Sequence, residues 1–219
     1  VLEEINRSGG NANGAHAQVY LMGVLLRHAS ENLKRTYLPQ ITAGSLRLQA
    51  FAVTEPNAGS ETTRIETTAV RNGNKYIING SKIFISRVEQ SDMMLILART
   101  TAYDEVEDKT TGLSLFLADL RQSRDQMTVH PLRVSMNNQT NSVEFVDLEV
   151  PADHMIGEEG NGFRCVIESW NAERILIASE CIGDGRWFID RAVRRANERV
   201  VFGKPIGANQ GVQFPIASA

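Results

Sequence analysis

Three stretches of this 219-residue chain combine residue types that could do chemistry. The first is FAVTEPNAGSETT, residues 51–63, where a small apolar run breaks into an acid, a proline and a row of Asn, Ala, Gly and Ser. Such residues are common turn formers. They also let backbone N–H groups and hydroxyls come close to a ligand, so a plain turn and a binding loop are both open readings. The second is Phe84-Ile85-Ser86, an aromatic at strand spacing, readable as core, followed by a hydroxyl. The third is Glu173 in ESWNAERILIASE. On a helix, Trp170, Leu176 and Ile177 share its face. Most glutamates are solvated, but a carboxylate desolvated on such a face would suit general-base work. Arg191, Arg195 and Arg199 recur four apart near the end. Such a stripe is ordinarily a solvated face.

Other classes of chemistry find little support. The net charge of −3 offers no general attraction to nucleic acid. No apolar run approaches the ~18 to 20 residues of a membrane span. His16, His28, His130 and His154 lack metal-ligand spacing, and no metal is assigned. Cys165 and Cys181 cannot build a disulfide framework and are expected to be buried thiols. No glycine-rich dinucleotide fingerprint follows a strand, which argues against a nicotinamide-type fold.

The elements that must position these residues fall into three zones. Residues 15–43 carry helical spacing at Val19, Met22, Leu25, Leu26 and Ala29. A second helix is capped by Ser30, with Leu33 and Tyr37 on one face and Gly44 past its end. Residues 46–150 show short β-type runs between turns, including an Asn72-Gly73 hairpin signal. After Pro151 a proline-free stretch of about 40 residues reads as one helix of ~60 Å. Gly183 and Gly185 would be tolerated in it where another helix packs closely, and Gly203 and Pro205 end it. The fold class is α+β: the end of an N-terminal helical domain at 1–45, an antiparallel β-barrel or sandwich at 46–150, and the start of a C-terminal helical bundle at 151–219. Both ends read as internal to a longer polypeptide.

Four motifs in series carry a resemblance to a known family. FAVTEPNAGSETT, YIINGSKIFIS, VEFVDLEVPADHMIGEEGNGF and NERVVFGKPIGANQGVQFPIA resemble the signatures of the FAD-dependent acyl-CoA dehydrogenases, in the same order and over nearly the whole chain. Glu61 stands where that family usually has Asp, and Arg64 where it usually has a small residue. The resemblance implies FAD as cofactor. It implies that Val53, Thr54, Gly59 and Ser60 line flavin and substrate, with Phe51 in the pocket wall. Phe84, Ile85 and Ser86 would cover one flavin face, with Phe84 where the family often has Trp. Arg199, Phe202 and Gln210 would contact the flavin dinucleotide of a neighbouring subunit, hence a homo-oligomer, dimer or tetramer.

The same resemblance implies α,β-desaturation of an acyl-CoA, with electrons passed to an electron-transfer flavoprotein. Most members place the catalytic Glu on a helix that would lie beyond Ala219. The isovaleryl- and long-chain-type members carry it in a Glu-Arg-aliphatic segment like ERILIA. Glu173-Arg174 matches that variant, so Glu173 is taken as the base, with Asn171, Arg174 and Ser60 as substrate contacts. Two rival readings keep the fold: a related flavin oxidase or monooxygenase, and a non-catalytic flavoprotein scaffold. The resemblance implies a place in the cytoplasm for a bacterial protein and in the mitochondrial matrix for a eukaryotic one.

Overall fold

The computed structural model describes residues 1–135 and 139–219. Helices α1 (Leu2–Arg7), α2 (Asn13–His28) and α3 (Glu31–Thr42) come first. The Ser30 side chain accepts the Leu33 N–H at 3.3 Å, which satisfies one of the orphan donors of the first turn of α3. Leu33, Tyr37 and Ile41 bury one face of that helix. Gly44 then leaves it at φ +73°, where a side chain would be strained. The capped helix expected from the spacing is therefore present.

Eight strands follow: β1 (Leu48–Ala52), β2 (Thr68–Asn72), β3 (Lys75–Ser86), β4 (Met93–Arg99), β5 (Leu113–Asp119), β6 (Met127–Pro131), β7 (Thr140–Pro151) and β8 (Met155–Ile156). The Asn72-Gly73 signal is met by a two-residue connection, Gly73-Asn74, with Asn72 paired to Lys75. The order is β6-β7-β3-β2-β4-β5-β8, with β1 added alongside β4. The α+β class expected from the sequence holds, and the antiparallel barrel is corrected. The sheet is mixed, because β1 and β2 run parallel to β4, and it is not a closed barrel. Closure requires the two edges to pair with each other. Among the described residues, β6 pairs only with β7, and the two-residue β8 only with β5.

The hydrophobic pattern explains which strands lie deepest. MMLILAR of β4 is buried at every position, as a continuous apolar run predicts. In β7 burial alternates, placing Val143, Phe145, Leu148 and Val150 in the core beside Ile78, Ile96 and Phe116. The Tyr76 and Phe116 rings meet at 4.9 Å between centroids.

Helix α4 (Gly162–Glu198) is 37 residues long. It stops before the expected Gly203 and Pro205. A tight hairpin follows, β9 (Val200–Val201) and β10 (Lys204–Pro205), turning through Phe202 at φ +50° and Gly203 at φ +77°. Helix α5 spans Gln210–Ser218. The chain forms two compact units: residues 17–172, which hold the sheet, and residues 1–16 with 173–219. Within the second unit Gly183 answers the close-packing expectation, since a Cβ there would fall on the Glu3 carbonyl oxygen of α1, whereas Gly185 faces open space. Of the two cysteines, Cys165 is buried and Cys181 is exposed, which corrects the expectation of two buried thiols. Cys181 lies one turn from Ile177, itself 45% exposed, on a part of α4 that points outward. Among the described residues, no helix is long and apolar enough to cross a membrane.

Candidate functional site

In the sheet unit, the loop after β1 is joined to the end of β3. The pairing of β3 with β7 shifts register between Lys82 and Ile85. Through this irregularity the Ile83 N–H donates to the Thr54 carbonyl at 2.9 Å. One residue earlier, Lys82 Nζ donates to the Val53 carbonyl and to Glu55 Oε1, each at 2.9 Å. Glu55 also accepts the N–H groups of Glu66 at 2.6 Å and Thr67 at 3.0 Å. A short turn closes the loop, with Glu55 and Ala58 exchanging backbone bonds across Pro56-Asn57.

Electrostatics decide what this joint is. Lys82 is fully buried, and Glu55 is 7% exposed. Burial pushes the Lys82 ammonium down to about 8, against the Glu55 charge that holds it up. For Glu55, burial pushes upward, and the Lys82 ammonium with the Glu66 N–H outweighs it, leaving the carboxyl below its usual range. A buried pair of this kind is costly to break from one side, because the survivor is left uncompensated.

The joint brings together two of the expected groups of residues. Val53 is buried, Thr54 half-buried, and Gly59 and Ser60 are exposed, with no atom within 4 Å of where a Gly59 Cβ would stand. Across the joint, Ile85 is buried and Ser86 half-buried. Phe84 is 60% exposed and sits at φ +60°. A bulky residue held there is strained and persists only where its surroundings impose it. The core-aromatic reading of Phe84 is thereby corrected: the bulge turns its ring outward. Phe51 is half-buried, its ring 6.1 Å from Tyr20. Among the described residues, the hydroxyls of Thr54, Ser60 and Ser86 have no protein hydrogen-bond partner. An exposed aromatic plane, uncommitted hydroxyls and an open glycine fit a planar, polar-edged ring system such as a flavin.

The two departures in the motif meet each other. Glu61 Oε1 accepts from Arg64 Nε at 3.0 Å, and the Arg64 guanidinium lies 4.5 Å over the Tyr103 ring. Both side chains of the pair are exposed, so it adds little stability. It shows that the larger residues are accommodated beside the loop without entering it.

In the other unit, Glu173 is half-buried on α4, its side chain 27% exposed. Its apolar neighbours by spacing are joined by an imidazole. His16 Nε2 lies 3.9 Å from Glu173 Oε1, and His16 Nδ1 lies 3.0 Å from Glu180 Oε1. The Glu173 carboxylate beside the ring lifts the His16 pKa above its usual value against the downward push of burial, and the Glu180 charge adds to the lift. Arg174 is exposed on the same helix. Arg199 follows the end of α4 and accepts the Ile206 N–H at its carbonyl, at 2.8 Å. That bond sets it against the hairpin carrying Phe202, which is fully exposed, while Gln210 opens α5. In the sheet unit, Asn171 is exposed.

Residue types and spacing did not single out Lys82, Glu55 as its partner, His16 or Glu180. Lys82 sits in GSKIF at a position facing the core, where a lysine is rare without a partner, and that was the available signal. Nothing local marks His16, whose acidic partners Glu173 and Glu180 lie more than 150 residues away.

Two family models match the chain: the middle domain of acyl-CoA dehydrogenases over residues 50–148 and their C-terminal domain over residues 160–219. The cyclohex-1-ene-1-carbonyl-CoA dehydrogenase of Syntrophus aciditrophicus is 35% identical over 219 residues, covering 99% of this chain and 52% of the relative. The solved glutaryl-coenzyme A dehydrogenase–glutaryl-CoA complex superposes with a TM-score of 0.90 at 30% identity, over 100% of this chain and 55% of its own. A structure from work on the electron transferring flavoprotein of Acidaminococcus fermentans and flavin-based electron bifurcation superposes at 0.89, with 30% identity, 99% of this chain and 57% of the other. The chain thus spans about half the length of the relatives it matches.

Proposed function

The chain belongs to the acyl-CoA dehydrogenase family, and on that premise we propose that the protein binds FAD at the joined loop and desaturates an acyl-CoA thioester between its α and β carbons. The observation that carries the reading is the joint itself. Lys82 and Ile83 hold the Val53–Glu55 backbone from below, leaving the Thr54, Ser60 and Ser86 hydroxyls and the Phe84 ring turned outward. A bound flavin would supply the two-electron acceptor for the β hydride.

The chain's own residues have separate tasks. Thr54, Gly59 and Ser60 approach the flavin edge, Phe84 and Ile85 cover one face, and Ser86 offers a hydroxyl to it. Glu173 removes the α proton. Binding contributes by holding the α carbon against a carboxylate already fixed in place. Asn171, Arg174 and Ser60 contact the thioester's carrier. Arg199, Phe202 and Gln210, all exposed, serve the flavin of a second copy in a homo-oligomer. The electron acceptor is an electron-transfer flavoprotein, in keeping with the Acidaminococcus neighbour.

The test uses the complete protein. A visible spectrum should show bound flavin, and anaerobic titration with a panel of acyl-CoAs should bleach it. Glu173→Gln should keep the flavin and abolish the bleaching. Undiminished bleaching would move the base to a residue beyond Ala219, and reoxidation by oxygen with no response to any acyl-CoA would replace the reaction with an oxidase's.

A further inference from the structure

His16, Glu173 and Glu180 form a cluster that neither the motifs nor the family models single out. Glu173 and Glu180 are seven residues apart on α4, so they share a face about 10 Å apart along the axis. The His16 side chain, 11% exposed, lies between them from the first turn of α2. Nδ1 meets Glu180 at 3.0 Å and Nε2 faces Glu173 at 3.9 Å. Glu180 is the better shielded acid, its side chain 14% exposed against 27% for Glu173. The shorter, drier contact anchors the ring, and the longer one reaches the acid assigned to chemistry.

We propose that His16 is a positioning residue for Glu173: clamped by Glu180 through one ring nitrogen, it holds the other 3.9 Å from the Glu173 carboxylate, which fixes that side chain's direction.

This rests on the reading of Glu173 as the base. Its mechanism depends on the proton count of the ring. A doubly protonated imidazolium donates from Nδ1 to Glu180 and turns a positively charged N–H toward Glu173, an ion pair at 3.9 Å. With one proton, the ring keeps it at Nδ1, where the contact is 3.0 Å, and Nε2 turns a lone pair toward Glu173. The hold on Glu173 therefore exists only while His16 is charged. The charged groups that act on the ring, Glu173 and Glu180, both come from α4 and both favour the charged form, while burial opposes it. Because the His16 pKa lies above the ordinary 6.5, the hold is complete below 6.5 and is lost as pH rises through the raised value.

Two measurements on the complete flavin-loaded protein test this. The first does not depend on turnover. The hydrogen–deuterium exchange rate of each histidine C2–H, followed by mass spectrometry against pH, gives the His16 titration midpoint. It should lie above 6.5 and fall by about one pH unit in Glu173→Gln and again in Glu180→Gln. An unchanged midpoint in both variants would overturn the proposal. The second is the rate of anaerobic flavin bleaching. In His16→Gln, a donor that does not titrate, the rate should drop, by up to about 100-fold, and the decline above neutral pH should flatten. If that variant binds flavin poorly, Glu180→Gln should give the same loss with His16 present. Wild-type rate and profile in a well-folded His16→Gln, beside an inactive Glu173→Gln, would sink the positioning role and leave the base assignment standing. Undiminished bleaching in Glu173→Gln would remove both.

Discussion

Lys82 Nζ lies 2.9 Å from Glu55 Oε1, and both groups are buried beneath the loop between β1 and β2. The pair fastens the turn that follows Val53-Thr54 to the strand that ends in Phe84-Ile85-Ser86. Removing one charge strands the other, so Lys82→Met should cost about 3 to 5 kcal/mol. Denaturant unfolding measures this directly. The double variant Lys82→Met/Glu55→Gln should cost less than the sum of the singles, since no charge is left unmatched. Additive costs would mean the two residues act separately.

The same pair sets an acid limit. The folded-state pKa of Glu55 is below its usual value, so its contribution is present above about 4.5 and is lost as pH falls through the depressed folded value. In thermal melts between pH 6 and 3, the wild type should lose stability more steeply than Glu55→Gln. Parallel curves would show that other carboxyls govern the acid limb.

Phe84 carries positive φ with its ring outward, and a non-glycine residue there costs of order 1 kcal/mol or more. Phe84→Gly should therefore leave the flavin-free protein as stable as the wild type or slightly more so, while flavin dissociates faster because a stacking surface is gone. Melting of the flavin-free form and fluorescence of released flavin separate the two effects. A large loss of stability without flavin would mean that the ring is structural.

Two glycines of α4 make a paired contrast. Gly185→Ala meets open space and should stabilise by up to about 1 kcal/mol from helix propensity alone. Gly183→Ala places a methyl group against the Glu3 carbonyl and should destabilise, with α1 forced away. Their melting temperatures should move in opposite directions.

Much of the fold was legible before any coordinates, and the reason is that its signals are local. The Ser30 cap, the buried face Leu33-Tyr37-Ile41, the turn at Gly73 and the proline-free run of α4 depend on residues within a few positions of one another. Turn chemistry and side-chain period act over that range. The loop FAVTEPNAGSETT and the FIS segment could likewise be placed by motif, and the bulge at Ile83 then brought them together. Local signals could not say that Phe84 would face outward. Its strand spacing suggests core, and a register shift with β7 decides otherwise.

The amino-acid order thus settled the helical, strand and helical zones, the cap of α3, the turn at Gly73 and the family to which the chain belongs. Packing settled whether the sheet closes, what neutralises Lys82 and what stands beside Glu173. Lys82 and Glu55 are 27 positions apart, and His16 and Glu180 are 164. Contacts across such separations carry no periodicity to read. They form only once the intervening chain has been ordered at the cost of its loop-closure entropy, so the partner of a buried charge is chosen by the assembled core and not by its neighbours in sequence.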